Sequence, residues 1–242
     1  MTMPEFETWQ WILGSFCAFM IGVSKTGMPG IGAFTVPLMI LTVGDARLTA
    51  AWTVPMLTTA DIFAVSYWRR HAEVRKLITL IPWVAVGMAG GALALSFPES
   101  VLRPMVGGVI LVMVLISILR KLSKIQVTGH SSFYGIGAGF ATTIANAAGP
   151  VMSMYLLASR LPKEKFIATG AWFFLVVNLS KIPIYIWHDL YSRASLTFAL
   201  MMVPAVVAGN LTGVWLVRRV PQHVFEMLVI VLTAVSSIAL LL

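Results

Sequence analysis

Two short stretches of the chain set polar side chains among residues that interrupt helices. The first reads Ser24-Lys25-Thr26-Gly27-Met28-Pro29-Gly30-Ile31-Gly32. Three glycines and a proline do not continue a regular helix cheaply. Free N–H groups at the start of the next half-helix attract an anion. Ser24 and Thr26 add donors, Lys25 adds a positive charge, and Gly30 and Gly32 belong to the same half-site. The alternative is a short cytoplasmic hairpin whose lysine follows the positive-inside bias. It is not a P-loop, because the GxxxxGK[ST] spacing is missing. The second stretch reads Ala145-Asn146-Ala147-Ala148-Gly149-Pro150. Pro150 suits the first turn of a half-helix. Asn146, beside Gly149, either reaches a ligand or makes a cap or an interhelical hydrogen bond. A shift of 120 places Asn146 on Thr26.

Two charges lie inside apolar segments. Asp61 and Lys181 occupy matching positions under the same shift. Intramembrane charges are costly and mark pathways, proton relays or pairs. Asp61 could carry a coupling proton, since burial raises a carboxyl pKa, or it could pair with a basic neighbour. Lys181 could snorkel to an interface about seven residues away. Otherwise it joins Asn178, three residues earlier on the same helical face, in binding anionic oxygens. Asn210, within Gly209-Asn210-Leu211-Thr212-Gly213, reads as a packing residue.

The elements that must hold these residues follow from composition. Apolar residues make up 59% of the 242 and charged residues 11%. A soluble domain is about half apolar and roughly a quarter charged. The chain is therefore an all-α integral membrane protein, since a helix crosses a bilayer with about 20 apolar residues. Ten apolar segments are expected: 9–23, 28–43, 48–68, 77–96, 101–119, 131–147, 149–159, 166–187, 194–217 and 221–242. The first two and the sixth and seventh are short and abut at the two interruptions. Glu5 and Glu7, with no Lys or Arg before the first segment, are unlike a signal peptide, so that segment is expected to be kept.

Basic residues orient the segments. With loops 69–76, 120–130, 159–165 and 218–220 on the cytoplasmic side, together with the link at Lys25, most Lys and Arg fall on that side. Arg47, Arg103 and Arg193 fall outside and Lys181 within a span. Both termini then face outward. The chain also looks duplicated. A shift of 122 sets Pro82–Gly87 on Pro204–Gly209 and Gly91 on Gly213. Two halves of five segments, 1–125 and 126–242, enter the membrane from opposite sides. Such inverted-topology repeats, each opened here by short broken helices, are common in secondary transporters.

The net charge of +8 sits in short loops and does not imply nucleic acid. A single Cys17 excludes a disulfide framework or a cysteine-built metal site. The four histidines sit at loop or interface positions. No HExxH, nucleophile elbow or Cys/His cluster suggests an enzyme, a metal or a cofactor.

At this point the sequence resembles the sulfite exporter TauE/SafE family. The resemblance rests on the two related halves, on Gly30-Ile31-Gly32-Ala33-Phe34-Thr35-Val36-Pro37-Leu38, and on Leu161-Pro162-Lys163-Glu164-Lys165 followed by Ala168-Thr169-Gly170. Ala33 stands where a third glycine would be usual, and Ala147-Ala148-Gly149-Pro150 replaces a Gly-rich cluster. The resemblance implies transport, most commonly export, of sulfite, sulfonates or related small acids, coupled to an ion gradient; the expected location is the cell membrane, which in a bacterium is the inner membrane. The expected reading is an alternating-access carrier for a small anion, with Asp61 as the proton site and a homodimer compatible with the sequence. An anion channel, or an assembly factor that transports nothing, are the rival readings on the same scaffold.

Overall fold

In a computed structural model the described residues are 6–98, 101, 131–146 and 148–239. They are helical, with no strand among them. The helices are α1 (Thr8–Thr26), α2 (Thr35–Val43), α3 (Ala46–Trp68), α4 (Val74–Ala94), α5 (Ser131–Ala145), α6 (Ala148–Ala158), α7 (Lys163–Trp187), α8 (Arg193–Arg219) and α9 (Gln222–Ala239). They occupy nine of the ten apolar segments. Segment 101–119, beyond Val101, and loop 120–130, with His130, lie outside the described residues.

Among the described residues four stretches are long and apolar enough to cross a membrane: Arg47–His71, Val74–Ala94, Lys163–Trp187 and Arg193–Arg219. Large apolar side chains such as Ile78, Leu93, Leu200 and Leu211 point outward from them. A soluble monomer rarely exposes so much apolar surface; lipid is the fitting solvent. The chain is thus a multi-pass membrane protein. By contrast, α2 and α6 have 9 and 11 residues. At 1.5 Å per residue they reach only about 13 and 16 Å, against a hydrocarbon core of about 30 Å.

Local chemistry fixes where the helices start and stop. Glu7 and Gln10 form a capping box at the head of α1. The Asp45 side chain accepts the Leu48 N–H at 2.7 Å and starts α3. Gly44, with φ 88°, ends α2 in the left-handed conformation that glycine adopts without strain. One expectation needs correction here. The link around Lys25 is not a cytoplasmic hairpin, because α1 continues to Thr26 and the break comes afterwards, at Gly27–Gly30, before a 3-10 turn at Ile31–Phe34.

Two helix crossings set the frame, and glycine makes both. Where α1 crosses α8, a Cβ on Gly22 would stand 2.2 Å from the Val206 carbonyl oxygen, and one on Gly209 2.0 Å from that of Phe19. Where α5 crosses α4, a Cβ on Gly139 would stand 2.1 Å from the Val84 carbonyl oxygen, and one on Gly87 2.1 Å from that of Ile136. Backbones this close exclude any side chain. One turn further on, Gly213 faces Thr26 and Gly91 faces Thr143. Both threonine hydroxyls turn back to the carbonyl four residues earlier, Thr26 to Gly22 at 3.2 Å and Thr143 to Gly139 at 2.8 Å. The residues of α5 thus play the parts of those of α1 at an offset of 117, as those of α8 do for α4 at 122. The crossing matches Thr26 with Thr143, so the expected match of Thr26 to Asn146 is wrong by three residues.

Polar contacts tie the helix ends together. Lys163 Nζ donates to the Val217 and Val220 carbonyls at 2.9 and 2.7 Å, and so caps the end of α8. Lys165 Nζ meets Glu73 Oε1 at 2.5 Å, and this contact holds the exposed Glu73 carboxyl below its ordinary range. The crossings generate a direct test. Gly22→Ala and Gly139→Ala are expected to destabilise the protein by about 1–3 kcal/mol, the usual cost of forced overpacking. Gly90→Ala, whose new Cβ would have its nearest neighbour at 3.8 Å, should be neutral. Thermal unfolding in detergent reads the difference; equal midpoints for the three variants would refute close packing at the crossings.

Candidate functional site

Both interruptions open onto one pocket. About 70 Å³ of it admits the centres of water-sized molecules, against roughly 10–15 Å³ for a single water by that measure. It is bounded by the end of α1, the residues after the first break, the junction of α5 and α6, and one face of α7. That face carries Ile167, Gly170, Ala171, Phe174, Asn178 and Lys181, which recur every three or four residues, with Gly170 and Ala171 side by side, as one helical stripe does.

The polar residues of the site come from five helices, α1, α3, α5, α6 and α7. Lys25, in the last turn of α1, places its ammonium 2.9 Å from Asp61 Oδ1 on α3. The same ammonium sits 3.9 Å from the centre of the Phe174 ring, a cation–π position. Asn178 Nδ2 donates to the other Asp61 oxygen at 2.5 Å. Asp61 is fully buried and the Lys25 side chain is 9% exposed. Buried charge is tolerated when it is paired and hydrogen-bonded, and this carboxylate is held from both sides.

Lys181 is fully buried as well. It does not reach the interface, because its ammonium turns inward to α5. There it donates to Thr142 Oγ1 at 3.1 Å and to Asn146 Oδ1, with the Thr142 carbonyl at 3.4 Å. These acceptors are neutral. Among the described residues the site therefore holds two ammonium groups and one carboxylate.

Asn146 is the hub of this half. It ends α5 with φ 52°, in the left-handed region, which asparagine tolerates better than most residues. Its Oδ1 accepts from Lys181, while its Nδ2 donates to the Ala50 carbonyl of α3 at 2.9 Å. That carbonyl lies just before the place where Pro55, lacking an N–H, interrupts the α3 hydrogen-bond ladder. One turn beyond Lys181, the buried Tyr185 hydroxyl donates to the Thr143 carbonyl at 2.7 Å. Tyr185 belongs to an apolar cluster with Ala50, Val54, Leu95 and Leu190. The pocket extends from Lys181 the other way along α7, as far as Phe166.

The structure gathers most of the residues expected from the sequence. Ser24, Lys25, Gly30, Gly32, Asn146, Gly149, Asn178 and Lys181 all line the pocket, and Asp61 joins it through Lys25 and Asn178. A Cβ on Gly32 would stand 2.7 Å from Ser24 Oγ, so glycine there lets the 3-10 turn after the break fold back on α1. Thr26 is not in the site. Its hydroxyl is buried in the α1–α8 crossing and donates to the Asn210 carbonyl at 2.7 Å. Ser153, just beyond the second break, lines the pocket too; Thr142 and Phe174 also line it but do not stand out in the sequence. Thr142 lies four residues before Asn146 and Phe174 four before Asn178, and that helical spacing is the signal that could have found them.

The Lys25–Asp61 pair carries its own test. Lys25→Met leaves a buried carboxylate without its cation, which typically costs about 3–5 kcal/mol. Lys25→Met combined with Asp61→Asn should recover most of that loss. A double-mutant cycle on thermal stability measures the coupling; additive effects would show that the two groups do not depend on each other.

Comparison with known proteins adds the family. The family described as Sulfite exporter TauE/SafE matches residues 14–240, nearly the whole chain. No curated protein and no solved structure matches it. With that match across both helix breaks and the charged pocket between them, the chain belongs to the sulfite exporter TauE/SafE family.

Proposed function

We propose that the protein is an alternating-access secondary transporter that exports small sulfur-containing anions, sulfite or organosulfonates, in exchange for or together with protons. One observation carries the reading: two buried ammonium groups face a pocket with only one carboxylate to balance them. A buried excess of positive charge is costly, and a small anion between Lys25 and Lys181 relieves it. Ser24, Thr142 and Ser153 supply neutral donors at the same surface, and Phe174 covers one side. Asp61 is the proton site, since it is the acidic group that touches this machinery. Catalysis is not part of the reading.

The architecture proposed for this cycle is a pair of inverted repeats, 1–125 and 126–242. The matching glycine and threonine contacts of the two crossings support it. In such folds the substrate lies near the membrane midplane, between broken helices. The orientation puts both termini outside and loops 69–76, 120–130 and 159–165 in the cytoplasm. Single cysteines placed in these loops in a Cys17→Ala background should resist an impermeant thiol reagent in intact cells. Labelling from outside would reverse the orientation.

Transport is tested with the purified protein in liposomes. Lys181→Ala should weaken sulfite binding about tenfold or more, because one charged hydrogen bond is worth about 1.5–3 kcal/mol. Asp61→Asn should keep exchange of labelled for unlabelled sulfite and lose accumulation driven by a pH gradient, since exchange does not need the empty carrier to return. Wild-type flux without counterflow would make the protein a channel. Absence of sulfite and sulfonate binding would remove the transporter reading in favour of an assembly role.

A further inference from the structure

We infer that the pocket matches protons to substrate charge: a second negative charge on the anion brings one more proton into the site. This rests on the anion-binding reading above and deepens it.

The argument is a count of buried charge. Lys25 and Asp61 form one neutral pair at 2.9 Å. Lys181 is held by the neutral oxygens of Thr142 and Asn146. The helices packed against α3 are α1, α2, α5, α7 and α8. Of their charged groups, Lys25 and Lys181 alone face Asp61. The others lie at helix ends: Lys163, Glu164 and Lys165 on α7, and Arg193, Arg218 and Arg219 on α8. Asn178, which also touches Asp61, is neutral.

An uncompensated charge in a low-dielectric interior is costly. A loaded site that passes through the membrane interior is therefore favoured when it is close to neutral. A monoanion beside Lys181 meets that condition and leaves Lys25 and Asp61 paired. A dianion spanning both ammonium groups does not, because it leaves one negative charge in excess. Asp61 is the acidic group in contact with the site. A proton from water entering the pocket converts its carboxylate to the neutral acid and frees Lys25 for the anion.

Two sulfonates of similar length separate the cases. 2-Hydroxyethanesulfonate is a monoanion at neutral pH, and sulfoacetate is a dianion there because its carboxyl group is ionised. Titration calorimetry of the full chain, in two amine buffers with different heats of ionisation, gives the protons taken up per molecule bound. Sulfoacetate should take up one more proton than 2-hydroxyethanesulfonate. In Asp61→Asn that difference should vanish, and the affinity ratio should move about tenfold toward the dianion, which two unopposed ammonium groups now balance. Equal proton uptake by the two anions in the native protein would overturn the inference and leave the anion site standing. Persistence of the extra proton in folded Asp61→Asn would overturn the role of Asp61. If neither sulfonate binds, the sulfonate site falls and the inference falls with it. Should Asp61→Asn fail to fold, the wild-type comparison decides alone.

Discussion

An ammonium group inside a bilayer needs a partner, and Lys25 has one in Asp61. Much of the site follows from that contact. It fixes the end of α1 against the middle of α3, and Asn178 completes the carboxylate from α7. Three helices that are distant in sequence therefore meet at one buried charge. What they leave over is Lys181. Its ammonium is solvated by a threonine hydroxyl and an asparagine amide rather than by a second acid, so the pocket keeps a positive bias that a small anion can answer.

The break after α5 performs the same service by different means. Lys25 approaches the pocket from the end of a helix that stops at a glycine. Lys181 projects from the last two turns of the continuous helix α7, and the interrupted partner brings acceptors to it. Asn146 can do this because its backbone has left the helix, so that one amide face meets Lys181 and the other meets α3. The irregular backbone is thus where it is tolerated in a membrane protein, lining a cavity inside the protein instead of facing lipid.

Much of this was legible in the sequence. Glycine and proline at 27–32, and Asn146 beside Gly149 and Pro150, marked the interruptions through backbone chemistry that needs no tertiary context. Asp61 and Lys181 stood out because charge within an apolar segment is costly. The pairing was not legible. Lys25 and Asp61 lie 36 positions apart, and nothing local says that the first lysine turns inward rather than to the cytoplasm. Thr26 was misplaced for a related reason: a hydroxyl at a helix break looks like a ligand, while its real role, satisfying a carbonyl across a glycine crossing, appears only when α8 is in place. Phe174 and Thr142 were hidden because, in an apolar helix, an aromatic ring or a small hydroxyl reads as packing.

The two crossings have unequal histories in the life of the chain. Helix α5 follows α4 in sequence and meets it across Gly87 and Gly139 once it emerges. Helix α1 must wait for α8, since Gly22 packs on Gly209. At about 5–20 residues per second, the ribosome needs roughly ten to forty seconds to supply that partner. During that interval the glycine seam of α1 has only lipid or temporary neighbours, and Lys25 can meet Asp61 well before the crossing forms. The ion pair is thus available early in biogenesis to hold the first broken helix near its final place, whereas the seam that finally locks it is among the last contacts to be made.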